Sequence, residues 1–358
     1  MKTRQFIGRT VFFLLSLLLL SQPVFAGEAN VFVYHRFGDS RYPSTNIDPE
    51  VFEAQLRYLA ENQYQVLPLG EIARRLAQGV ALPEHCAGLS IDDAYATFFS
   101  GAFPLLRKYQ MPATLFVNTA SVGGDDYMTW DELQKVQDAG IEIGNHSDRH
   151  PFLLNRRAGE TTEQWRKRVR NDIQTAQDKL TKHLGKAPQV FAYPYGEFDP
   201  QLQDVVRDIG FVAAFGQQSG VIAAGEDLFT LPRFPMGGPY ATLQGFRQKV
   251  VMKSLPLEVL SPWTPVIKPN DPNPPLLVVK IDPSVVDLRR LNCFVPGQPS
   301  PRIQQVADQP NQFEIRADAP LTGRRSKYTL TAPGRDGHGW YWFSQLWVRL
   351  QEKGGEGG

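Results

Sequence analysis

Two neighbouring carboxylates, Asp92 and Asp93, follow the apolar segment 88–91 and could take part in acid–base or metal chemistry. Adjacent residues of a strand point to opposite faces, so both side chains can reach one site only where the strand bends or ends between them. Each carboxylate would then have its own role. The alternative interpretation is a solvated loop start or a helix N-cap.

Two histidines four residues apart, His146 and His150, follow the strand-like segment 141–144. Imidazoles at this spacing lie on one side of a single turn, and Pro151 disfavours a helix through His150, so a loop turn is expected. The spacing alone is often coincidence. Together with Asp93 the pair offers two nitrogens and one oxygen, which leaves a fourth position for water, as in a catalytic zinc site.

The third polar group is the aromatic turn at residues 191–196, where an apolar strand ends in Pro194, Tyr195 and Gly196. The backbone amide of Tyr195 could point at the negative charge that develops on oxygen during acyl transfer. The alternative is a turn whose side chains are simply packed.

These groups lie at the ends of strand-like segments that alternate with helical ones over residues 30–215. Strands are predicted at 30–34, 64–68, 88–91, 113–118, 141–144, 190–193 and 211–215, and helices at 49–62, 69–78, 97–110, 129–140, 160–184 and 200–210. Repeated β-α units favour an α/β fold, a parallel barrel with helices outside, in which chemistry gathers where strands end in loops.

The distribution of proline indicates a second domain. Fourteen of the 28 prolines precede residue 256, and thirteen lie within residues 256–320. We therefore predict a Pro-rich linker at 253–275, between a barrel at 27–252 and a smaller C-terminal β-sandwich of accessory role at 276–350.

Aromatic residues alternate along the last predicted strand of the sandwich. Trp340 and Trp342 share one face, and Tyr341 and Phe343 share the other. One face must be core. The other either packs on the barrel or binds glycan, and packing is the preferred interpretation.

The N-terminus predicts export. Lys2, Arg4 and Arg9 precede an apolar run at 11–20 and a small-residue cleavage site at 24–26, the pattern of a secretory signal peptide at 1–26. Without this segment the formal net charge of +1 becomes −2. A net charge of −2 lacks the excess of positive charge that is expected of a nucleic-acid-binding protein. A periplasmic or secreted protein with no stable membrane span after signal cleavage is expected.

The two cysteines, Cys86 and Cys293, could pair in an oxidising compartment. Sequence alone does not show that they are close, so two buried free thiols are the preferred interpretation. Two cysteines are also too few for a zinc ribbon or finger.

In their order along the chain, the Asp-Asp pair, the His-Ser-x-x-His motif and the Pro-Tyr turn make this sequence resemble the NodB-type polysaccharide deacetylases, carbohydrate esterase family four. The resemblance covers roughly residues 30–240 and implies an irregular (β/α) barrel that binds a divalent metal, commonly zinc. It also implies the role of each matching residue: Asp92 as general base, Asp93, His146 and His150 as metal ligands, and Tyr195 at the oxyanion site.

The sequence departs from the family's pattern in three places. Ala192 stands where the third motif usually has an Arg that pairs with the base, and no histidine supplies the late Leu-x-His motif. Poly-N-acetylglucosamine deacetylases of the IcaB and PgaB type instead carry the acid in a Tyr-His pair on the first strand, and this sequence has Tyr34-His35 there. The resemblance thus implies His35 as the acid. Ala94 replaces the glycine that usually follows the Asp pair.

The expected function is hydrolysis of N-acetyl groups on N-acetylglucosamine-containing polysaccharide by metal-activated water, with Asp92 as base and His35 as acid. Trp130 and Tyr193 are expected to bind the sugar, with core packing as the alternative. Two other functions stay open: hydrolysis of another amide or ester, such as one in peptidoglycan, and a noncatalytic glycan-binding or scaffolding role in exopolysaccharide machinery.

Overall fold

The computed structural model describes residues 27–299 and 301–350, and the predicted signal segment 1–26 lies outside them. The first part of the chain forms the predicted parallel barrel. Its strands are β1 Ala29–Tyr34, β2 Arg36–Phe37, β3 Asn46–Ile47, β4 Gln65–Val66, β5 Cys86–Ile91, β6 Thr114–Val117, β7 Glu142–Asn145, β8 Val190–Ala192, β9 Ala213–Phe215 and β10 Phe234–Pro235. Its helices are α1 Pro49–Glu61, α2 Leu69–Ala77, α3 Phe103–Tyr109, α4 Trp130–Asp138, α5 Thr162–Leu184, α6 Pro200–Ile209 and α7 Leu243–Val250.

The barrel sheet is parallel throughout, in the order β10-β1-β5-β6-β7-β8-β9, and β4 pairs with β5 off this path. A single parallel bridge between Phe215 and Leu231 joins β9 to the segment before β10 and closes the sheet. Every residue of β1 and β5 is buried, as expected where helices cover a parallel sheet. The expected irregular barrel is confirmed.

Local sequence signals explain where the helices begin. Thr129 and Thr161 each form a capping box, with Glu132 and Gln164 respectively, at the starts of α4 and α5. Gly185 ends α5 in the left-handed conformation that glycine adopts without steric cost. None of the helices among the described residues combines the length and apolar character needed to cross a bilayer.

The second part of the chain is a sandwich of two sheets. Its strands are β11 Lys253–Ser254, β12 Leu257–Ser261, β13 Val266–Ile267, β14 Leu276–Ile281, β15 Asn292–Phe294, β16 Arg302–Gln305, β17 Gln312–Arg316, β18 Arg325–Pro333 and β19 Trp340–Arg349. One sheet has the order β11-β19-β18-β15, with β13 also on β19, and the other has the order β12-β14-β17-β16.

The predicted linker at 253–275 is wrong, because this segment supplies three strands of the sandwich. β11 and β13 pair in parallel with β19, and β12 pairs antiparallel with β14. The prolines lie between these short strands, so their missing N–H groups cost no ladder hydrogen bond.

The sandwich is docked on the barrel by apolar packing and hydrogen bonds. Trp342 meets Phe234 edge to face at 5.6 Å, and its indole N–H donates to the Ser219 carbonyl at 3.2 Å. Leu346 and Val348 of β19 belong to the same core cluster as residues of α5 and α6. The predicted packing of the Trp342 face on the barrel therefore holds.

Both cysteines are buried free thiols, Cys86 in β5 of the barrel and Cys293 in β15 of the sandwich. They do not pair, which agrees with the preferred interpretation of the sequence.

Candidate active site

The carboxyl ends of neighbouring barrel strands bring the predicted site residues together. His35 follows β1, Asp92 and Asp93 follow β5, His146 follows β7, and Tyr195 lies in the turn after β8. Because β1, β5, β6, β7 and β8 are parallel neighbours, their ends share one rim of the barrel.

Three side chains form a compact set of candidate metal ligands. Asp93 Oδ1 lies 3.5 Å from His146 Nε2 and 3.4 Å from His150 Nε2, and the two imidazole nitrogens are 3.2 Å apart. Asp93 Oδ1 is buried without a hydrogen-bond partner among the described residues. Two imidazole nitrogens and an orphaned carboxylate oxygen at this separation suit a divalent ion such as zinc.

The protonation of His146 also suits metal binding. Its Nδ1 lies 2.8 Å from the Ala192 carbonyl, which can only accept a hydrogen bond, so Nδ1 carries the proton and Nε2 presents a lone pair to the site. Burial lowers the pKa of His146 to about 3, and burial also lowers the pKa of His150. Both rings are therefore neutral, the form that binds a metal.

Helix α5 holds the turn that carries the two histidines. The Asn145 side chain donates to the Ile173 carbonyl at 3.1 Å, and the buried Asp172 accepts the Asp148 N–H at 3.1 Å. Asn145 also accepts the Ser147 N–H at 2.8 Å. The predicted loop turn is thus fixed to the barrel by hydrogen bonds.

Backbone strain concentrates at this rim. Among the described residues, eight that are not glycine have a left-handed φ, and five of them surround the site: Asp93, Ala94, Ser147, His150 and Tyr195. Such conformations persist where the surrounding structure over-determines them, and they cluster at functional sites. The left-handed φ of 54° at Ala94 also explains why glycine is usual at that position.

A buried arginine that the sequence analysis did not identify pairs with Asp92. Arg233 Nη1 and Nη2 donate to the two Asp92 oxygens at 2.7 and 2.9 Å, and both side chains are fully buried. Burial opposes ionisation of Asp92, but positive charge, that of Arg233 above all, outweighs it and holds the pKa of Asp92 well below its usual range. Arg233 directly precedes β10. An arginine near the end of the barrel therefore pairs with Asp92, although Ala192 stands where the third motif usually has that arginine.

A cleft of about 630 Å³ opens over these groups. His35, Asp93 and His150 line it. The cleft walls also include four tyrosines and two arginines: Tyr95, Tyr127, Tyr195, Tyr240, Arg149 and Arg325.

The sequence that forms this rim is similar to that of known proteins. The sequence profile described as "Polysaccharide deacetylase" matches residues 79–214, which include the Asp-Asp pair, both histidines and the Pro-Tyr turn. Residues 79–214 thus belong to a polysaccharide deacetylase domain. A poly-beta-1,6-N-acetyl-D-glucosamine N-deacetylase of Staphylococcus aureus is 25% identical to the chain over 220 residues, which are 58% of this chain and 73% of that protein.

Solved structures share the fold of the deacetylase domain. IcaB from Ammonifex degensii aligns with a TM-score of 0.54 and 24% identity, covering 63% of this chain and 96% of that one. The Streptococcus pyogenes deacetylase PplD aligns with a TM-score of 0.56 and 20% identity, covering 62% and 98%.

Two predicted sugar-binding residues lie away from the cleft of the deacetylase domain. Trp130 begins α4 and stacks on His183 of α5, with ring centroids 4.1 Å apart and planes at 11°. Tyr193 is completely buried, and its hydroxyl donates to the Phe229 carbonyl at 3.1 Å. Both side chains pack within the domain, which was the alternative interpretation of the sequence.

Proposed function

We propose that the protein is a metal-dependent hydrolase that removes N-acetyl groups from N-acetylglucosamine-containing polysaccharide. The observation that carries this proposal is the set Asp93, His146 and His150 at the base of a cleft that also holds His35, with an ionised Asp92 beside it. The deacetylase domain supplies the reaction class, and these residues supply the parts that amide hydrolysis needs.

The three ligand side chains would hold the metal, and burial raises the pKa of Asp93, so the ionised carboxylate gains from a cation there. When bound, a divalent metal polarises the acyl oxygen and makes a nearby water far more acidic than bulk water. The hydrogen bond from His146 Nδ1 to the Ala192 carbonyl would orient the imidazole ring toward the metal.

Asp92 would accept the proton that the nucleophilic water loses. Its Oδ2 lies 4.0 Å from His146 Nε2 and accepts a hydrogen bond from Gln217 Nε2 at 3.3 Å. The two hydrogen bonds from the Arg233 guanidinium keep the Asp92 carboxylate charged and fix the orientation of its plane. Asp92 would therefore be ready to act as a base before the substrate binds.

His35 and Tyr195 would complete the reaction. An amine leaves poorly without a proton, and an imidazolium at His35 can donate one across the cleft. Tyr195 lies in the turn after β8, and its ring meets the His150 ring edge to face. An amide aimed at the developing oxyanion contributes about 3 kcal/mol of transition-state stabilisation.

The cleft lining supports a glycan substrate. Tyr95 and Tyr127 lie with ring centroids 4.9 Å apart on one wall, and Tyr195 and Tyr240 also line the cleft. Aromatic faces with polar tips stack on sugar rings and bond their hydroxyls. The substrate named for the staphylococcal relative makes β-1,6-linked N-acetylglucosamine the first glycan to test.

The test is acetate release from β-1,6- and β-1,4-linked N-acetylglucosamine oligomers by zinc-loaded wild type, Asp92→Asn and a matched control, Asp131→Asn. Asp131 is an exposed carboxylate in the first turn of α4, remote from the cleft. We expect wild-type and control activity to be equal, and Asp92→Asn to lose about 10²- to 10⁴-fold, the range of general acid–base catalysis.

Metal content is measured on every variant. Release of no acetate by protein that holds stoichiometric zinc would point to another amide or ester substrate. Protein that neither releases acetate nor retains metal would instead support a noncatalytic, glycan-binding role.

A further inference from the structure

Two consecutive arginines of the C-terminal sandwich contact the deacetylase domain beside its cleft, and Arg325 lines the cleft itself. Arg325 begins β18, and its Nη1 donates to the Tyr195 carbonyl at 2.6 Å. Arg324 donates through Nε and Nη2 to the two oxygens of Glu197, both at 2.7 Å. Both bonds end on the turn that carries the proposed oxyanion amide.

Arg324 pairs with a buried carboxylate of the barrel, Glu197. Glu197 is 1% exposed and directly follows the turn Pro194–Gly196. Arg325 Nε lies 3.8 Å from the same carboxylate. Loss of Arg324 alone would leave the buried Glu197 carboxylate with only the more distant Arg325 guanidinium against its charge, which disfavours this conformation of the turn.

A stack of planar groups runs from the sandwich to the metal ligands. The Arg324 guanidinium lies 4.2 Å from the centre of the Phe152 ring, which stacks on Tyr195 at 4.0 Å and 16°. The Tyr195 ring meets the His150 ring edge to face at 4.5 Å. A shift of Arg324 is therefore transmitted by packing to both Tyr195 and His150.

The turn needs such support. Tyr195 has φ 59° and ψ 4°, a left-handed conformation that a tyrosine seldom adopts. The backbone at Arg325 is held in place, because β18 pairs along its whole length with β19, which packs on the barrel.

We infer that the sandwich is part of the active site, with Arg324 and Arg325 as positioning residues that hold the Tyr195 turn and its amide in place. This inference rests on the proposed function for its catalytic consequence only. If the sandwich only added glycan-binding surface, the conformation of the Tyr195 turn would not depend on Arg324 and Arg325.

The test uses the full-length protein and the variants Arg324→Met, Arg325→Met and Arg325→Lys. Arg302→Met is the control, because Arg302 is an exposed residue of β16 on the sandwich. The first readout, hydrogen exchange of the peptide at 193–198, is independent of catalysis. The Gly196 N–H bonds the Tyr193 carbonyl at 2.8 Å and reports on the turn.

We expect exchange in this peptide to rise about tenfold or more in both Met variants, and to stay at the wild-type rate in the control, since local opening sets the exchange rate. In acetate release, Arg325→Met should lower kcat at least about tenfold with little change in KM, because a misplaced oxyanion donor costs transition-state binding only. Arg325→Lys should regain part of kcat, since an ammonium can still donate to the Tyr195 carbonyl.

Unchanged exchange in both Met variants would overturn the inference whatever the activity. A raised KM with unchanged kcat would also overturn it, because the arginines would then bind substrate directly. If wild type releases no acetate, the proposed function fails, and the exchange result still decides whether the arginines hold the turn. If Arg325→Met does not fold, Arg325→Lys carries both measurements.

Discussion

The ion pair between Arg233 and Asp92 makes a quantitative prediction about stability. Arg233→Met keeps an unbranched side chain but removes both bonds to Asp92, and leaves a buried carboxylate without its ion-pair partner. Breaking one side of a buried pair costs about 3–5 kcal/mol. Arg233 Nε also donates to the Gly216 carbonyl at 2.8 Å, and the loss of that bond adds about 1 kcal/mol.

The double variant separates the pair from its surroundings. Asp92→Asn alone leaves a buried guanidinium unpaired and should also cost about 3 kcal/mol. Asp92→Asn combined with Arg233→Met removes both charges of this pair. We therefore expect the double variant to be more stable than the sum of the single losses predicts, by about 2–3 kcal/mol.

Urea unfolding of metal-free protein in the presence of chelator measures these free energies, because bound metal would add its own stabilisation. The control cycle uses Arg207 and Asp227, whose atoms approach to 2.6 Å but whose side chains are 39% and 43% exposed. Its coupling should stay below about 1 kcal/mol. Additivity within about 0.5 kcal/mol in the buried cycle would refute the reasoning.

Three further predictions follow from features of the barrel. Burial and the nearby Glu28 raise the pKa of Glu226 from 4.5 to about 8. The folded state then binds more protons than the unfolded state between about pH 4.5 and 8. The free energy of unfolding therefore falls as pH rises through that window, by at most about 1.4 kcal/mol per pH unit. Thermal unfolding of Glu226→Gln at several pH values should show a weaker dependence on pH. Zinc at about a thousandfold excess over its dissociation constant should stabilise wild type by about 4 kcal/mol and Asp93→Asn far less, as scanning calorimetry would measure. Trp130→Phe should leave kcat for acetate release unchanged and lower stability by about 1 kcal/mol, because its ring stacks on His183 outside the cleft.

Each of these predictions has a contrary outcome. Equal slopes of stability against pH in wild type and Glu226→Gln would show that another group titrates. An undiminished zinc shift in Asp93→Asn would put the ion elsewhere. A large loss of kcat in Trp130→Phe would put that ring on the path of the substrate.

Most of the barrel could be predicted from the sequence because its signals are local. Apolar runs such as the one that becomes β5 alternate with amphipathic segments that begin at threonine or aspartate caps, as α4 and α6 do. The three strands at 253–275 were not predicted, because a proline-rich composition describes the turns between them and hides two- and five-residue edge strands.

The same contrast holds for the site. The histidines and aspartates form short motifs with a known chemistry, and strand ends brought them to one rim as expected. Arg233 and Arg325 belong to no motif, and what each does depends on a partner more than a hundred positions away. A single charged residue in the apolar run 231–235 was the one available signal for Arg233. Trp130 and Tyr193 were placed near the correct strand ends, but backbone position alone does not tell which way a ring points.

The long sequence separations within the site have a consequence for the order of events in folding. Arg233 and Asp92 are 141 positions apart, and Arg325 and Tyr195 are 130 apart. Contacts that close such long loops form late, after local helices and hairpins. We therefore expect the chain to form its helices before it has a working active site, and a nascent polypeptide to lack the complete cleft until residue 325 has been made. In a refolding experiment, regain of acetate release would mark the final assembly step, later than the return of circular dichroism.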